Sequence, residues 1–258
     1  MIIKLLNISK SYFIADGVTK KVINDLSLQL NFYDNKFIAL VAPFGSGKTT
    51  LLKIISQLIN YDSGKIIVNE EDLANSKTRI VYIPSQSVSI PWLTVEDNIR
   101  FELSENISDE KLKFIISLIG LEGYEKHIPH KDSFGFRFRI SLGRALASNP
   151  DLILIDEPFN KLDSITKEEI FSMIGNVVKN TEVKFLFATS NIMDAIFLSD
   201  EIVFISKEKY EIKEHIKIEE KFSTYKELLS SEKFAEIFSK IKSILTEDFG
   251  FQLKDFSV

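Results

Sequence analysis

The chain has 258 residues, of which 45 % are hydrophobic and 27 % charged, and its formal net charge is −5. That composition fits one large globular domain, or one with a small appendage, and its mildly acidic balance argues against a nucleic-acid partner. Cysteine is absent, which excludes disulfides and thiolate metal sites, and His127, His130 and His215 are too few and too poorly spaced for a zinc site. No apolar run approaches the roughly 18 to 20 residues that cross a bilayer. The opening Met1-Ile2-Ile3-Lys4-Leu5-Leu6 is soon interrupted by Asn7 and Lys10, so it does not read as a secretory signal. The expectation is a cytoplasmic chain whose membrane role, if any, comes through a partner.

In chain order, residues 2–6 and 22–30 read as antiparallel strands, with Asp16-Gly17 as a turn between them. Residues 36–41 (KFIALV) form a continuous apolar run that enters a Gly/Ser-rich turn. A helix follows over 48–58, with Leu51, Leu52, Ile54, Ile55 and Leu58 on its apolar side. Residues 79–83 (RIVYI) read as a strand ending at Pro84, and 109–119 as a helix. Residues 151–155 (DLILI) are a strand ending in Asp156-Glu157-Pro158, and 166–178 a helix. Residues 183–189 (VKFLFAT) are a further strand, followed over 191–198 by apolar residues at helical spacing. Beyond Ser206 the chain becomes charge-rich, with Lys207-Glu208-Lys209 and Glu219-Glu220-Lys221. Residues 223–245 then read as one or two amphipathic helices. Apolar runs alternating with helices predict an α/β fold, its parallel sheet flanked by helices, with a small antiparallel β subdomain. A helical insertion is expected over about 95–145. The domain is expected to span 1–222, with 223–258 as a helical tail that caps it.

Ala42-Pro43-Phe44-Gly45-Ser46-Gly47-Lys48-Thr49 fits the Walker A pattern, with alanine in place of the first glycine. Glycines let the backbone N–H groups turn inward on phosphates, and the following helix, through Thr50, adds its positive end. In that pattern Lys48 serves the β- and γ-phosphates and the Thr49 hydroxyl a Mg²⁺ ion. The position between a strand and a helix is the context the motif requires. Leu152-Ile153-Leu154-Ile155-Asp156-Glu157 has the form of Walker B, with Asp156 for the metal's water shell and Glu157 to polarise an attacking water. Together they predict a P-loop NTPase core. Asn160-Lys161-Leu162-Asp163 spells a guanine-specificity sequence, but it starts three residues after Glu157 and lacks the strand that would precede it. ATP is therefore the expected nucleotide.

The order of motifs resembles the ATPase subunits of ABC importers, most closely those of the nitrate, sulfonate and taurine type, over almost the whole chain. Pro91-Trp92-Leu93-Thr94-Val95 with Asp97-Asn98 resembles the segment after that family's Q-loop. Arg144-Ala145-Leu146-Ala147, then Asp156-Glu157-Pro158-Phe159 and Leu162-Asp163, resembles the approach to Walker B and the D-loop. Asp194-Ala195-Ile196-Phe197-Leu198 with Asp200 resembles the helix after the H-loop. The resemblance implies an ABC ATPase that binds ATP and Mg²⁺, with Tyr12 stacked on adenine. It implies a membrane permease as partner, met through the region 92–123, and a second ATPase subunit, identical or homologous. Two such domains close head-to-tail, each site combining one chain's Walker motifs with the other's signature loop. The chain is then peripheral on the inner face of the membrane. Soluble relatives in DNA repair or translation carry long coiled-coil insertions or a fused second ATPase domain, and neither is present.

Three positions depart from the family pattern. Asp132-Ser133-Phe134-Gly135-Phe136 stands where the signature reads LSGGQ, leaving Ser133 and Gly135 to meet the γ-phosphate, with Phe134 obstructive if its position needs positive φ or close approach. Counting back from Pro91 puts Ser85 in the Q-loop position, with Gln86 one residue late; a one-residue slip in the loop would restore Gln86 to the metal. Ser190 stands where the H-loop histidine is expected, too short to span the same distance, and His130 reads as a local structural residue. The departures leave two readings open: a working motor, or a subunit that binds ATP and turns it over slowly beside an active homologue.

Overall fold

In a computed structural model of the chain, all residues are described except 16, 87–88, 102–106, 130–131, 158, 160–161, 206–211 and 250–258. Of the sequence features above, Asp16, His130, Pro158, Asn160-Lys161 and Lys207-Glu208-Lys209 therefore lie outside the described residues. The backbone divides into two contact-dense units, Met1–Thr78 with Phe185–Val258, and Arg79–Lys184.

The first unit opens with a long hairpin, β1 (Ile2–Ala15) and β2 (Val18–Asn31), paired antiparallel from Ile2 opposite Asn31 to Ala15 opposite Val18. Antiparallel pairing was expected over 2–6 and 22–30; the strands run further because bulges interrupt their alternation. Register shifts fall between Leu5 and Ile8 and again between Ile8 and Lys10, and Asn7 and Asp25 take left-handed φ angles of 53° and 55°. Each bulge exchanges the two faces, so the period-2 signal disappears from the sequence although the strand continues. β4 (Ser63–Val68) pairs with the other edge of β1, and the two-residue β5 (Glu71–Asp72) pairs with β4.

β3 (Phe37–Val41) is at most 2 % exposed at every residue. It runs parallel between β8 (Lys184–Thr189) and β9 (Glu201–Ile205), with Val41 opposite both Thr189 and Phe204. Strands buried on both faces need helices above and below. α1 (Lys48–Ile55) follows β3 directly, and α6 (Ile192–Leu198), which follows β8, packs on β3. Sequence reading passed over β9, although Ile202–Ile205 is another short apolar run, and over the edge strand β10 (Ile212–Lys217), antiparallel to β9. The two amphipathic helices of the tail are α7 (Tyr225–Ser230) and α8 (Glu232–Phe249). Tyr225 stacks on Phe197 of α6 at 5.1 Å and donates its hydroxyl to the buried Asp194. α8 buries Phe234 and Ile241 and pairs Lys240 with Glu214 of β10.

In the second unit β6 (Ile80–Ile83) runs parallel to β7 (Leu152–Asp156), Ile80 opposite Leu152 and Ile83 opposite Ile155. The helical insertion expected over 95–145 consists of α2 (Val95–Arg100), α3 (Asp109–Leu118) and α4 (Phe134–Ala147). α5 (Ser164–Asn180) follows β7. α4 packs against α2, α3 and α5, burying Phe138, Ile140, Leu142 and Leu146.

Candidate active site

The loop 42–47 joins the end of β3 to the start of α1. Gly45 and Gly47 take positive φ of 74° and 87°, the left-handed geometry that turns successive N–H groups to one side. Gly47 has a second reason to be glycine. A Cβ there would lie 2.9 Å from the Val22 carbonyl oxygen of β2, so the loop is closed over by the hairpin. Lys48, only 7 % exposed, donates from Nζ to the carbonyls of Ala42 at 2.7 Å and Pro43 at 3.0 Å. Its ammonium also lies 5.6 Å from the centroid of the exposed Phe44 ring. Ala42 keeps negative φ, and its N–H donates to the Thr189 carbonyl at 3.3 Å, so the loop does not need glycine at that position.

The first turn of α1 is unlike those of the other helices. Side chains of Thr94, Ser108, Ser133, Asp163, Asn191 and Thr224 cap α2 to α7, whereas Gly47 leaves α1 without a side-chain cap or an acidic residue in its first turn. Helix N-terminal N–H groups need an acceptor, and an anion supplies one. The Ser46 hydroxyl, in the same loop, is buried and has no hydrogen-bond partner among the described residues. An uncapped helix start, a buried ammonium and an orphaned hydroxyl are together the features that suit a polyphosphate.

Tyr12, on β1, belongs to the same unit and is 40 % exposed. Its hydroxyl is 3.5 Å from the Thr50 Oγ1 and Lys10 Nζ is 5.6 Å from its ring. Asp62 steadies this part of β1 by accepting from the Ser11 N–H at 2.6 Å and from Lys10 at 3.0 Å. These bonds, the Lys10 one foremost, hold the Asp62 carboxyl below the usual carboxylate range. Ser190, directly after β8, is fully buried, and its Oγ has no hydrogen-bond partner among the described residues.

The second unit carries the carboxylates. β7 is fully buried as far as Asp156, which is 2 % exposed and accepts a 2.9 Å hydrogen bond from the Tyr82 hydroxyl. Burial, and then the Asp156 charge, push the Tyr82 phenol well above its ordinary range, so it stays a donor. Glu157 has φ of 40°. A non-glycine residue in that region costs about 1–2 kcal/mol, strain of the kind that collects at functional sites. Ser85 and Gln86 are both exposed.

Ser133 is exposed and caps α4, accepting from the Phe136 N–H at 3.3 Å. Phe134 opens the helix without positive φ, so the ring replaces a glycine with no backbone strain. Gly135 is buried, and a Cβ there would lie 3.0 Å from Thr166 Cγ2 of α5, which assigns it a packing role as well. Phe136 forms an edge-to-face cluster with Tyr124 and His127, and His127 bonds Asp132 at 2.9 Å.

A family model described as ABC transporter matches residues 24–160. The aliphatic sulfonates import ATP-binding protein SsuB of Bacillus cereus is 34 % identical over 243 residues, covering 93 % of this chain and 94 % of that protein. The chain belongs to the ABC transporter family. It is an ATPase of that family's type. The carnitine transport ATP-binding protein OpuCA of Listeria monocytogenes is 34 % identical over 197 residues, 72 % of this chain and 49 % of its own length. The fold is shared with the ATP-binding cassette MJ0796, solved as a dimer in a post-hydrolysis state bound to ADP and Pi. That match has a TM-score of 0.69 at 24 % identity and covers 84 % of this chain and 99 % of that one.

The residues present fit the nucleotide and metal that the family implies. Lys48, Ser46 and the α1 N-terminus match a triphosphate. Thr49 in the first unit carries a hydroxyl, and Gln86 and Asp156 in the second an amide and a carboxylate oxygen, each a donor type that Mg²⁺ accepts.

Sequence reading quoted Asn98 and Arg144 only as part of the family pattern; in this ABC ATPase they form a hub. Asn98 is fully buried, and its Oδ1 accepts from the Ile90 N–H at 2.7 Å and from Arg144 at 2.7 Å. Its Nδ2 lies 3.0 Å from each of the Ile90, Leu93 and Thr94 carbonyls. One amide thus shapes the segment that displays Trp92, 75 % exposed. The sequence signal for such a hub is an asparagine that shares the buried side of α2 with Val95 and Ile99.

Proposed function

We propose that this chain binds Mg-ATP and, as one of a pair of ATPase subunits, energises a membrane permease that imports a small solute. The observation that carries the reading is the α1 N-terminus: no side-chain cap, a buried Lys48 and an orphaned Ser46 hydroxyl in one loop. Relatives named for sulfonate import, similar over nearly the whole chain, support the importer assignment. In this reading Lys48, Thr49 and the loop 42–50 hold the phosphates, and Tyr12 stacks on the base. Asp156 and Gln86 serve the metal, Glu157 orients water, and Ser133 and Gly135 act on the nucleotide of the partner subunit. Mg²⁺ neutralises phosphate charge when bound. Exposed Trp92 and its surroundings face the permease in this reading, and the chain works peripherally on the inner side of the membrane.

A second reading is favoured by Ser190: its buried hydroxyl offers no imidazole, so turnover is slow and the chain acts as a nucleotide-gated subunit beside an active homologue. Steady-state Mg-ATP hydrolysis by the purified chain, beside Lys48→Ala, separates the two. Turnover near 1 s⁻¹, at the lower end of ordinary enzymes and lost in the variant, supports the motor. Binding without turnover supports the gated subunit. No Mg-ATP binding at all overturns both.

A further inference from the structure

The parallel register of β6 and β7 sets Tyr82 opposite Leu154. Side chains two apart on a strand share a face, so Leu154 and Asp156 lie on the side that Tyr82 occupies. The tyrosine ring therefore extends along that face to the end of β7, where its hydroxyl meets Asp156 Oδ2 at 2.9 Å. A carboxylate that is 2 % exposed needs donors in place of the water it has lost. The nature of this donor matters. A lysine or arginine in its place would bring a positive charge, whereas a phenol fixes one oxygen and adds no charge of its own. Phenylalanine would fill the same space and pack the same strand face without the hydroxyl.

We infer that Tyr82 is a positioning residue for the metal site, holding the Asp156 carboxylate in one orientation toward the cation that accompanies the nucleotide. The inference rests on the proposal that Asp156 serves that cation. Groups that orient a metal-binding carboxylate are typically worth about 10–100-fold in metal affinity or activity.

The test uses the full chain as wild type, Tyr82→Phe, Asp156→Asn and the double variant. Mn²⁺ binding to each ATP complex is followed by electron paramagnetic resonance, and binding of a fluorescent ATP analogue is measured in excess EDTA. Tyr82→Phe should weaken Mn²⁺ binding about 10-fold or more while leaving metal-free nucleotide binding unchanged. Added to Asp156→Asn, it should weaken Mn²⁺ no further. Wild-type Mn²⁺ affinity in Tyr82→Phe, with a loss in Asp156→Asn, overturns the inference and leaves the proposed site standing. Equal loss of metal-free nucleotide binding makes Tyr82 merely structural and also overturns it. If Asp156→Asn itself binds Mn²⁺ as well as wild type, the proposed metal role of Asp156 falls, and the role of Tyr82 with it.

Discussion

A hydroxyl buried without a partner costs about 1–3 kcal/mol, and Ser190 carries one immediately after the strand that pairs with the P-loop strand. Its neighbour Thr189 is better placed, accepting from the Asn191 N–H at 2.9 Å. If a missing donor at position 190 limits hydrolysis, Ser190→His should raise steady-state turnover on the order of 10²-fold, the scale of one preorganised donor. An unchanged rate, with the variant folded and binding ATP, would mean that the limiting step lies elsewhere. At this scale the motifs were legible because phosphate chemistry demands glycine, lysine and threonine at fixed spacing. The Glu157 φ of 40° and the Tyr82–Asp156 bond were not, since each depends on backbone angles and strand register that residue identity alone does not encode. Phe134 was read as an obstruction if its position needed positive φ or close approach; as the first residue of α4 it lacks positive φ, so the first of these conditions is not met.

Elements here are held by polar hubs as much as by apolar faces. The Asn98 amide joins α2 to the 90–94 segment and, through Arg144 Nε donating to the Asn98 carbonyl at 2.9 Å, to α4. Leucine at 98 has similar bulk but would strip the Ile90 N–H, the Ile90, Leu93 and Thr94 carbonyls and Arg144 Nη2 of one hydrogen bond each. Asn98→Leu is expected to lower unfolding stability by about 2–4 kcal/mol, read from urea denaturation followed by Trp92 fluorescence. A loss under about 0.5 kcal/mol would show that water replaces the amide without difficulty. The short strands β3, β7 and β8 were readable from sequence because burial on both faces leaves an unbroken apolar run in each, with polar residues only at the ends. β1 and β2 were read only in part because their bulges at Asn7 and Asp25 move polar residues out of phase. The tail was read as one or two amphipathic helices and forms two, while the docking of Tyr225 onto Asp194 and Phe197 required the fold to be known.

For the whole molecule, the proposed pairing of two subunits makes nucleotide a reagent for assembly. Glu157→Gln should bind Mg-ATP without consuming it. Light scattering after gel filtration with Mg-ATP is then expected to give twice the chain mass, and Lys48→Ala the single mass. A monomer for Glu157→Gln at saturating ATP would point to a different homologue as the natural partner. The order of strands also has a consequence for how the chain is made. β3 carries the nucleotide loop at residues 37–41, yet its two neighbours are supplied by residues 184–189 and 201–205. Parallel pairing across such a span closes late, since loop entropy is lost before the contacts return it. A ribosome must therefore release about three-quarters of the chain before the loop has its frame. During that interval the all-apolar β3 is an unpaired edge, the stretch on which chaperones would act.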